Sequence, residues 1–522
     1  MSSRFSDHDE HLVNTFLARR AGRAAGEAVA AVRPATDAAA GRRVLTRDEA
    51  TALAKLVMQT VTVPTFNVVI THRATAVTKL VNSRRLQCFD HDQLSLNFFT
   101  VTGTHVGLDV VTNVRDVAML QQVIRSAETT KGPPEPPAPP IVVDPQDPAQ
   151  IEFGPRTYMP VQLWHESTVQ GMENGRGEAM AQMVTAVRAA QQQFPDLTMA
   201  GTVVTTERAR IVQYQLGRSA WSESTDSEIS MTVRSTDGKA SGWQGRASRD
   251  WATLQPTEIV RDAVSMANRT RNAVRVEPGR YTAILGPAAV GQLVARMGLH
   301  FLAWANRGEP HAPFSLVNSP DGRTLRLGQR VFDERITMYT DFNDPMGGDD
   351  PFFPNGCPTG NATWIEQGVL KRLAYDVQDA ARHGIVPPVQ EPNSVHMTGG
   401  TTTIEAMIAQ CERGIYVHRF SNVDVVDPIA GTLTGWTRDG CFLVKDRKIH
   451  SPVLNFRFYE SPFLVLNRVI ALGVPERVAF GTSTEDLRRG AGATLESWPQ
   501  PPIIVPPLMI RDFNFVSLSD AV

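Results

Sequence analysis

The sequence predicts an α+β fold, with an N-terminal domain of helices and antiparallel strands followed by a β-rich, barrel-like C-terminal domain. The chain has 522 residues, and at roughly 100 to 200 residues per domain this leaves room for about two to four domains. In its first half, helical periodicity and β-rich segments follow the order helix, meander, helix, which is typical of α+β folds. In its second half, short apolar runs alternate with frequent Gly and Pro residues, which indicates antiparallel strands joined by turns.

The first residues predict a helical extension and then the start of a folded domain. Residues 10–32 begin with an apolar stripe at helical spacing, and Pro34 ends the pattern. A second helix is expected after this segment, because Thr46 and Glu49 have the spacing of a capping box. We therefore assign residues 1–43 to the extension.

Strands and helices alternate in the remainder of the first half. Segments rich in β-branched and aromatic residues predict strands at 66–70, 75–81, 95–102, 106–112, 199–206, 210–216 and 228–234. Apolar residues at helical spacing predict helices at 113–127, 176–193 and 256–272. Prolines dominate residues 132–148, which we interpret as an extended excursion and not as a packed element.

The second half is predicted to contain mainly strands. Apolar runs indicate strands at 281–285, 362–365, 415–417, 441–444 and 453–458, with helices near 288–306 and 403–412. Pro278 and Gly279 interrupt the pattern just before this half. The predicted N-terminal domain therefore spans 44–276 and the C-terminal domain spans 277–515.

Charge and cysteine usage restrict the partners and the compartment. The 52 Lys and Arg residues against 54 Asp and Glu residues give a formal net charge of -2, which argues against direct binding to nucleic acid or anionic lipid. The four cysteines lack the CxxC spacing of a zinc knuckle or a disulfide framework. No apolar stretch of about 18 residues and no basic signal sequence is present. We expect a cytoplasmic protein with no membrane association.

Three histidine-containing segments are candidate metal sites. His165 and Glu166 are not followed by the second histidine of a helical zinc motif, so a polar surface turn is the favoured interpretation. The stretch from Asp90 to Asp92 has donors in sequence, but adjacent side chains seldom converge on one ion, and a solvated turn is expected. His300, on the predicted helix 288–306, is either a hydrogen-bonded core or interface residue or a metal ligand.

The remaining candidate residues are a cysteine, a charged pair and a tryptophan. Cys441 is either an inert core residue or a nucleophile, and its apolar neighbours favour burial. Arg438 and Asp439 precede Gly440, where they close a hairpin or orient a ligand. Trp304 lines an interface or a groove, or packs in the core. The chain contains neither a GxSxG nucleophile elbow nor a GxxxxGK[ST] phosphate loop.

Four segments together resemble the TldD/PmbA family, in the order found in that family. They are Ala247–Pro287, Cys357–Thr359 with Trp364–Lys371, Thr403–Ile408 with Gly414–Val417, and Gly440–Ile449. The resemblance covers roughly residues 44 to 515 and is clearest from residue 247 onward. It implies a two-domain α+β protein in which TldD subunits are zinc peptidases and TldE (PmbA) subunits pair with them without binding metal.

The ligands of the TldD zinc site are missing at the matching positions. In TldD proteins an H-E-x-x-x-H helix follows the Pro-Gly-x-Tyr strand, but here Ala288–Phe301 contains no His-Glu pair. The third ligand is a cysteine near the C-terminus, whereas Leu495–Gln500 contains none. Zinc activates water only where such ligands hold it. The chain therefore resembles the TldE type, with no catalytic residue, metal or cofactor of its own.

The resemblance implies a role in a heterodimer or larger complex. A TldD-like partner would hold the zinc, and this chain would help to form the chamber that admits flexible peptides or peptide-like amides. His300, Trp304, Arg438, Asp439 and Cys441 are the candidate substrate-lining or interface residues. The long N-terminal and proline-rich segments are compatible with a specialised paralogue that acts in peptide maturation or natural-product biosynthesis.

Two alternatives stay open at the level of the sequence. One is a self-sufficient amide hydrolase or tailoring enzyme that uses His300, Cys441 or the pair Arg438 and Asp439. The other is a regulatory adaptor of the gyrase-modulator type, which would act through proteins because the near-zero net charge disfavours direct DNA binding.

Overall fold

The protein is described by a computed structural model. It describes residues 5–24, 41–62, 65–83, 85–100, 108–112, 114, 116–129, 161–214, 219–316, 318, 325–348, 350–352, 360–375, 394–481 and 502–519. Several sequence predictions fall outside these ranges: the end of the first helix with Pro34, the proline-rich segment 132–148, the motif 357–359 and the segment 495–500.

A six-stranded antiparallel sheet forms the core of the first half. Its strands are β1 (Thr65–Val81), β2 (Arg85–Thr100), β3 (Leu108–Thr112), β4 (Leu197–Tyr214), β5 (Ser219–Ser235) and β6 (Ser241–Ser248). Their order across the sheet is β3-β2-β1-β4-β5-β6. Helices α1 (Asp7–Ala24), α2 (Arg47–Thr60) and α3 (Val117–Thr129) lie near the β1–β3 side. Helix α3 agrees with the predicted segment 113–127 to within a few residues at each end, and α1 begins within a few residues of the predicted segment 10–32, whose last part lies outside the described ranges.

The start of α2 confirms the predicted capping box. The Thr46 side chain accepts from the Glu49 backbone N–H, and the Glu49 side chain accepts from the Thr46 N–H. These two bonds satisfy donors that the first turn of a helix leaves free. Leu53 and Val57 of this helix are then completely buried against the sheet.

The predicted division of two long strands was wrong. Segments 66–70 and 75–81 form the single strand β1, and segment 199–206 forms the single strand β4 together with the described residues of segment 210–216. The residues between the predicted strands instead pair with each other across the sheet, as Arg73 does with Arg208 and Ala74 with Glu207. A polar stretch can continue a strand when the neighbouring strand supplies backbone and side-chain partners. Asp90–Asp92 likewise lies within β2 and not in a turn.

Helices on the other side of this sheet complete the first half. They are α4 (Glu166–Gln170), a π-helical turn (Gly171–Gly175), α5 (Arg176–Gln193), a 3₁₀ turn (Trp251–Thr253) and α6 (Pro256–Arg269). The predicted inward residues of α6 are buried, among them Ile259, Ala263 and Ala267. A methyl group at Gly242 would lie 2.3 Å from the Ala263 carbonyl oxygen, so α6 packs directly against the backbone of β6.

The second half contains two sheets. The first has the order β10-β9-β8-β11-β18-β17 and consists of β8 (Met338–Thr340), β9 (Ala362–Glu366), β10 (Val369–Leu370), β11 (Val395–Met397), β17 (Glu476–Arg477) and β18 (Ile503–Val505). The second comprises β7 (Gly279–Leu285), β12 (Arg413–Asp427), β13 (Thr432–Lys445), β14 (Lys448–Pro452), β15 (Phe456–Glu460), β16 (Val469–Leu472) and β19 (Leu508–Leu518).

The second sheet closes on itself as a five-stranded barrel. Its order is β12-β7-β19-β15-β13, and an additional pairing between β12 and β13 joins the two ends. Closure removes the exposed edges that an open sheet would carry. Phe456, Phe458 and Phe513 are buried to 1% exposure or less in this core. The α+β class and the β-rich, barrel-like second half are thereby confirmed, whereas the domain limits 1–43, 44–276 and 277–515 stay predictions.

The prediction of one continuous helix over residues 288–306 was wrong. The segment is divided into α7 (Pro287–Val294), a 3₁₀ turn (Gly298–Phe301) and α8 (Ala303–Asn306). The first break spans residues 295–297, and Gly298 begins the 3₁₀ turn after it; glycine weakens a helix interior by about 1 kcal/mol relative to alanine. The remaining helices are α9 (Ile404–Gln410), which matches the predicted segment 403–412, and α10 (Pro462–Val465). Within the residues described, no helix is long and apolar enough to cross a membrane.

Candidate functional site

Helix α7 occupies the position where the resemblance places the metal-binding helix of TldD proteins. It follows β7 directly, and Gln292 is its only polar side chain. Ala289, Val290 and Leu293 are buried in the largest core cluster, and a methyl group at Gly291 would lie 2.7 Å from the Val478 side chain. This helix packs as a core element with no room for imidazole or carboxylate groups on its buried face.

These residues do not fit a zinc ion. Zinc in proteins is held by thiolate, imidazole or carboxylate groups, and Pro287–Val294 offers none of them. Among the residues that the structure describes, no group of three or more His, Cys, Asp and Glu side chains could hold a metal ion. The segment Leu495–Gln500, which matches the third ligand position, lies outside the described ranges.

Asp439 lies where the two halves of the molecule meet, on β13, which contacts α6 and β6. It is completely buried, and it accepts a hydrogen bond from Arg419 Nε at 2.7 Å and another from the Ser241 hydroxyl of β6. Burial alone would raise the pKa of Asp439, but the charge of Arg419 and the Ser241 hydrogen bond outweigh it and hold the pKa below its ordinary value. Asp439 is therefore an ionised carboxylate that joins the barrel to the N-terminal sheet.

The backbone around Asp439 explains its position. The pairing of β12 with β13 shifts between Val417 and Arg419, so that Asp439 and Gly440 lie opposite His418 alone as a β-bulge. Asp439 has a positive φ of 53°, a conformation that Asp and Asn tolerate better than most residues. The predicted hairpin at residues 438–440 is thus a bulge within one strand.

His418 forms a second link across the same junction. Its Nε2 donates to the Trp243 carbonyl oxygen at 3.0 Å, and the Arg419 guanidinium lies 4.6 Å from the Trp243 ring centroid. Burial and the neighbouring Arg419 lower the pKa of His418 to about 4. The imidazole is therefore neutral at physiological pH, and together with Asp439 it fixes β6 against the barrel.

A cleft of about 450 Å³ lies beside this junction. Its volume is within the range of small-molecule and peptide sites, which occur preferentially between domains. One wall comes from β6 and α6, and the opposite wall comes from Pro345, Met346 and Arg477. The lining consists of His165, Gln244, Arg246, Ala247, Ser248, Asp250, Thr253, Leu254, Gln255, Glu258, Ile259, Asp262, Pro345, Met346 and Arg477.

Buried ion pairs underlie the cleft. Arg477 Nη2 donates to Asp226 Oδ2 at 2.6 Å, and Arg249 Nη1 lies 3.8 Å from the same oxygen. One carboxylate of β5 is therefore shared by two guanidinium groups. Arg249 also donates to the Gly348 carbonyl, which connects the β6 side of the cleft to the loop that carries Met346.

That loop is held by a histidine. His396 Nε2 donates to Asp344 Oδ2 at 2.8 Å, and the His396 ring stacks on Tyr339 with centroids 5.0 Å apart. Asp344 Oδ1 accepts from the Met346 backbone N–H at 2.8 Å. The backbone of the wall is fixed by these contacts, whereas the Met346 side chain is 48% exposed.

The structure separates the other predicted residues from this cleft. His300 is buried beside Phe463, with ring centroids 4.8 Å apart, and its Nε2 donates to the Pro428 carbonyl at 2.9 Å; burial lowers its pKa. Cys441 is buried in the barrel core, where burial raises the pKa of its thiol to about 12. The side chain of Trp304 lies outside the described atoms.

Among the predicted candidates whose side chains the structure describes, Asp439 alone has a polar link between the halves. Arg438 lies beside it on β13, where burial lowers its pKa. Sequence reasoning missed Arg246 and Arg477, which line the cleft, and Asp226, which pairs with Arg477 beneath it. Arg249 and Asp250 fall in the family-like segment, but Arg477 gains its partner Asp226 across 251 positions, and no local pattern reports such a contact.

A family model for the C-terminal domain of PmbA/TldA metallopeptidases matches residues 278–517. Among curated proteins, none matches this sequence. The family model covers the barrel, helix α7 and the C-terminal wall of the cleft.

Several solved structures have the same fold over most of their length. TldE from Thermococcus kodakarensis superposes with a TM-score of 0.67 at 15% identity, covering 89% of this chain and 99% of that one. A candidate DNA gyrase modulator from Bacteroides thetaiotaomicron gives 0.68 at 16% identity, covering 91% and 100%. Another from Thermotoga maritima gives 0.65 at 15% identity, covering 86% and 95%. At such identities the likeness concerns the fold.

Proposed function

Residues 278–517 match a family model for the C-terminal domain of PmbA/TldA metallopeptidases, and from this premise we propose that the chain is the zinc-free, TldE-like subunit of a two-component metallopeptidase of the TldD/PmbA family. In this proposal a TldD-like partner holds the zinc ion and performs hydrolysis. The chain itself forms part of the chamber that admits flexible peptides or peptide-like amides, in the cytoplasm, for peptide maturation or natural-product biosynthesis.

The observation that carries the proposal is the composition and packing of α7. This helix has no imidazole, thiolate or carboxylate side chain, and Ala289 and Gly291 are enclosed by neighbouring core residues. Activation of water by zinc requires ligands that hold the ion with an open position. A chain of this family without those ligands depends on a partner for hydrolysis.

Complex formation and metal content test this function. We expect co-expression with a TldD-like chain that contains H-E-x-x-x-H to give a stable complex in size-exclusion chromatography, with zinc in proportion to the partner. Elemental analysis of this protein purified alone should then find no stoichiometric zinc. Stoichiometric zinc in the isolated chain, or failure of every TldD-like chain encoded near it to associate, would count decisively against the proposal.

The amide-hydrolase alternative receives less support from the site. Its three candidate groups are in different environments: His300 is bound to a backbone carbonyl, Cys441 has a pKa of about 12, and Asp439 is engaged by Arg419. A nucleophile needs a lowered pKa or an adjacent base. The adaptor alternative rests only on the description of two structures that share the fold.

A further inference from the structure

We propose that the cleft between α6 and Arg477 is a carboxylate-recognition subsite, which binds the C-terminal carboxylate of a peptide that enters the complex. This inference rests on the proposed function, because it assigns one of the substrate-admitting contacts to this chain. It names Arg477 as the principal recognition residue and Arg246 as its exposed companion.

The first argument is the state of Arg477. Its side chain is 6% exposed and lines the cleft. Nη2 is bound to Asp226, whereas Nη1 is buried without a hydrogen-bond partner within the part of the chain that the structure describes. An unpaired buried donor is unfavourable, and more so when it is charged. A ligand carboxylate supplies the acceptor that this nitrogen lacks.

The second argument is the charge around Asp226. Its carboxylate is shared between Arg477 at 2.6 Å and Arg249 at 3.8 Å. One negative charge therefore faces two positive guanidinium groups. Arg246 lines the same cleft with an exposed side chain. Guanidinium groups bind carboxylates with paired, charge-assisted hydrogen bonds, and each wall of the cleft contributes one arginine that can bind an incoming anion.

The acidic residues of the cleft do not cancel this attraction, because they have cationic or hydrogen-bonding partners already. Asp250 accepts from the Ala252 N–H at 3.0 Å and from the Ser167 hydroxyl. Glu258 and Asp262 lie on the exposed side of α6, 3.9 and 3.1 Å from Arg261. Their remaining oxygens are acceptors for the amide N–H groups that precede a peptide's C-terminus.

The cleft has one wall that can adapt. Nη1 of Arg477 lies beneath the accessible surface, so a ligand oxygen reaches it only when the neighbouring wall moves. Met346 lines the cleft and is 48% exposed, and methionine changes rotamer at low cost. The backbone of Met346 stays fixed through Asp344 and His396, so adaptation requires a side-chain movement alone.

Binding of matched peptides to the full chain tests the subsite. The probe is a fluorescently labelled, N-acetylated peptide of six uncharged residues with a free C-terminal carboxylate, compared with its C-terminal amide and with an amide that ends in glutamate. We expect the free acid to bind at least about tenfold more tightly than the neutral amide, as loss of a charged hydrogen bond implies. The glutamate peptide reports whether a side-chain carboxylate is also accepted. Equal binding of acid and amide, or no binding of either, would overturn the proposal.

Three variants locate the effect. Arg477→Met should remove most of the difference between acid and amide, and Arg246→Gln should reduce it several-fold. Arg447→Gln is the matched control, because Arg447 is 68% exposed and neither it nor its partner Glu412 is part of the cleft lining. Arg477→Met removes the ion-pair partner of the buried Asp226 and can therefore prevent folding. In that case Arg246→Gln still tests the assignment. An acid preference unchanged in Arg246→Gln and in folded Arg477→Met would refute the assignment.

The outcomes separate this inference from the proposed function. Carboxylate binding is measured on this chain alone, whereas partner association is measured by chromatography. A complex that forms normally while the acid preference is absent contradicts only the subsite. An acid preference in a chain that never associates with a TldD-like partner contradicts only the two-component function.

Discussion

Arg419 Nε donates to the buried Asp439 carboxylate at 2.7 Å across neighbouring strands of the barrel. The same carboxylate receives the Ser241 hydroxyl from the N-terminal sheet. A single ionised group therefore connects two strands of one half with a strand of the other. The bulge at Asp439 is what turns this side chain toward the junction.

Replacing Asp439 by Asn should destabilise the protein strongly. Asn tolerates the positive φ and keeps the size of the side chain, but it removes the charge and leaves Arg419 without its buried partner. Breaking a buried pair costs about 3–5 kcal/mol, and urea denaturation should report this loss. Asp446→Asn is the control, because Asp446 is exposed and has a similar φ of 51°. Equal stability of the two variants would disprove a structural role for the Asp439 pair.

His418 should make the stability depend on pH in the acidic range. Burial and Arg419 lower its folded-state pKa to about 4, whereas the unfolded chain takes up the proton near the ordinary value of about 6.5. Stabilisation by the neutral imidazole is therefore complete above about pH 6.5 and is lost as the pH falls toward 4, by up to about 3 kcal/mol.

The comparison with His418→Asn isolates this effect from other titrating groups. We expect the variant to be less stable than the wild type at pH 7, with the difference becoming smaller at pH 4.5. His450→Asn serves as the reference, since His450 is exposed. A wild-type advantage that stays constant between the two pH values would show that His418 is not linked to folding.

Close packing of α6 on β6 predicts that Gly242→Ala disturbs both stability and the cleft. The added methyl group would lie 2.3 Å from the Ala263 carbonyl oxygen and 2.4 Å from the Ala267 nitrogen, and backbone atoms cannot move as side chains do. We expect a loss of about 1–3 kcal/mol or more, as for other overpacked sites, measured by thermal unfolding. Gly298→Ala, which meets nothing within 4 Å, should have little effect. Wild-type stability of Gly242→Ala would contradict the packing described.

Thiol labelling should distinguish the cysteines. Cys88 is exposed, whereas Cys411 and Cys441 are buried. The labelling is done in a Cys357→Ser variant, so that only these three thiols can react. Burial raises the pKa of Cys441 to about 12, so the reactive thiolate is scarce at pH 8. Ellman's reagent should therefore modify Cys88 rapidly in the native protein and the two buried thiols only in denaturant. Rapid native modification of Cys441 would revive the hydrolase alternative.

Local sequence patterns predicted much of the fold because they report local chemistry. The capping box at Thr46 and the inward stripe of α6 follow from interactions within one or two helical turns. The joined strands β1 and β4 were divided wrongly because their central polar residues have partners only across the sheet. The single helix predicted over 288–306 failed for a similar reason, since its apolar residues serve several short elements of one core.

The candidate site was predicted only in part. Asp439 stood out because a charged residue precedes Gly440, although the bulge it forms depends on the register of β12 and β13. Arg477 carried no signal, because its partner Asp226 belongs to the other half of the chain. His300 and Cys441 stood out by residue type, and the structure places both in apolar surroundings.

The sequence by itself determined the α+β class, the family likeness and the lack of metal donors in Pro287–Val294, because each of these depends on which residues are present and in what order. Tertiary structure alone decided where the charges converge. Asp439 with Ser241, and Arg477 with Asp226, lie far apart along the chain. Strand register and barrel closure bring such pairs together, and these are properties of the whole fold and not of any local segment.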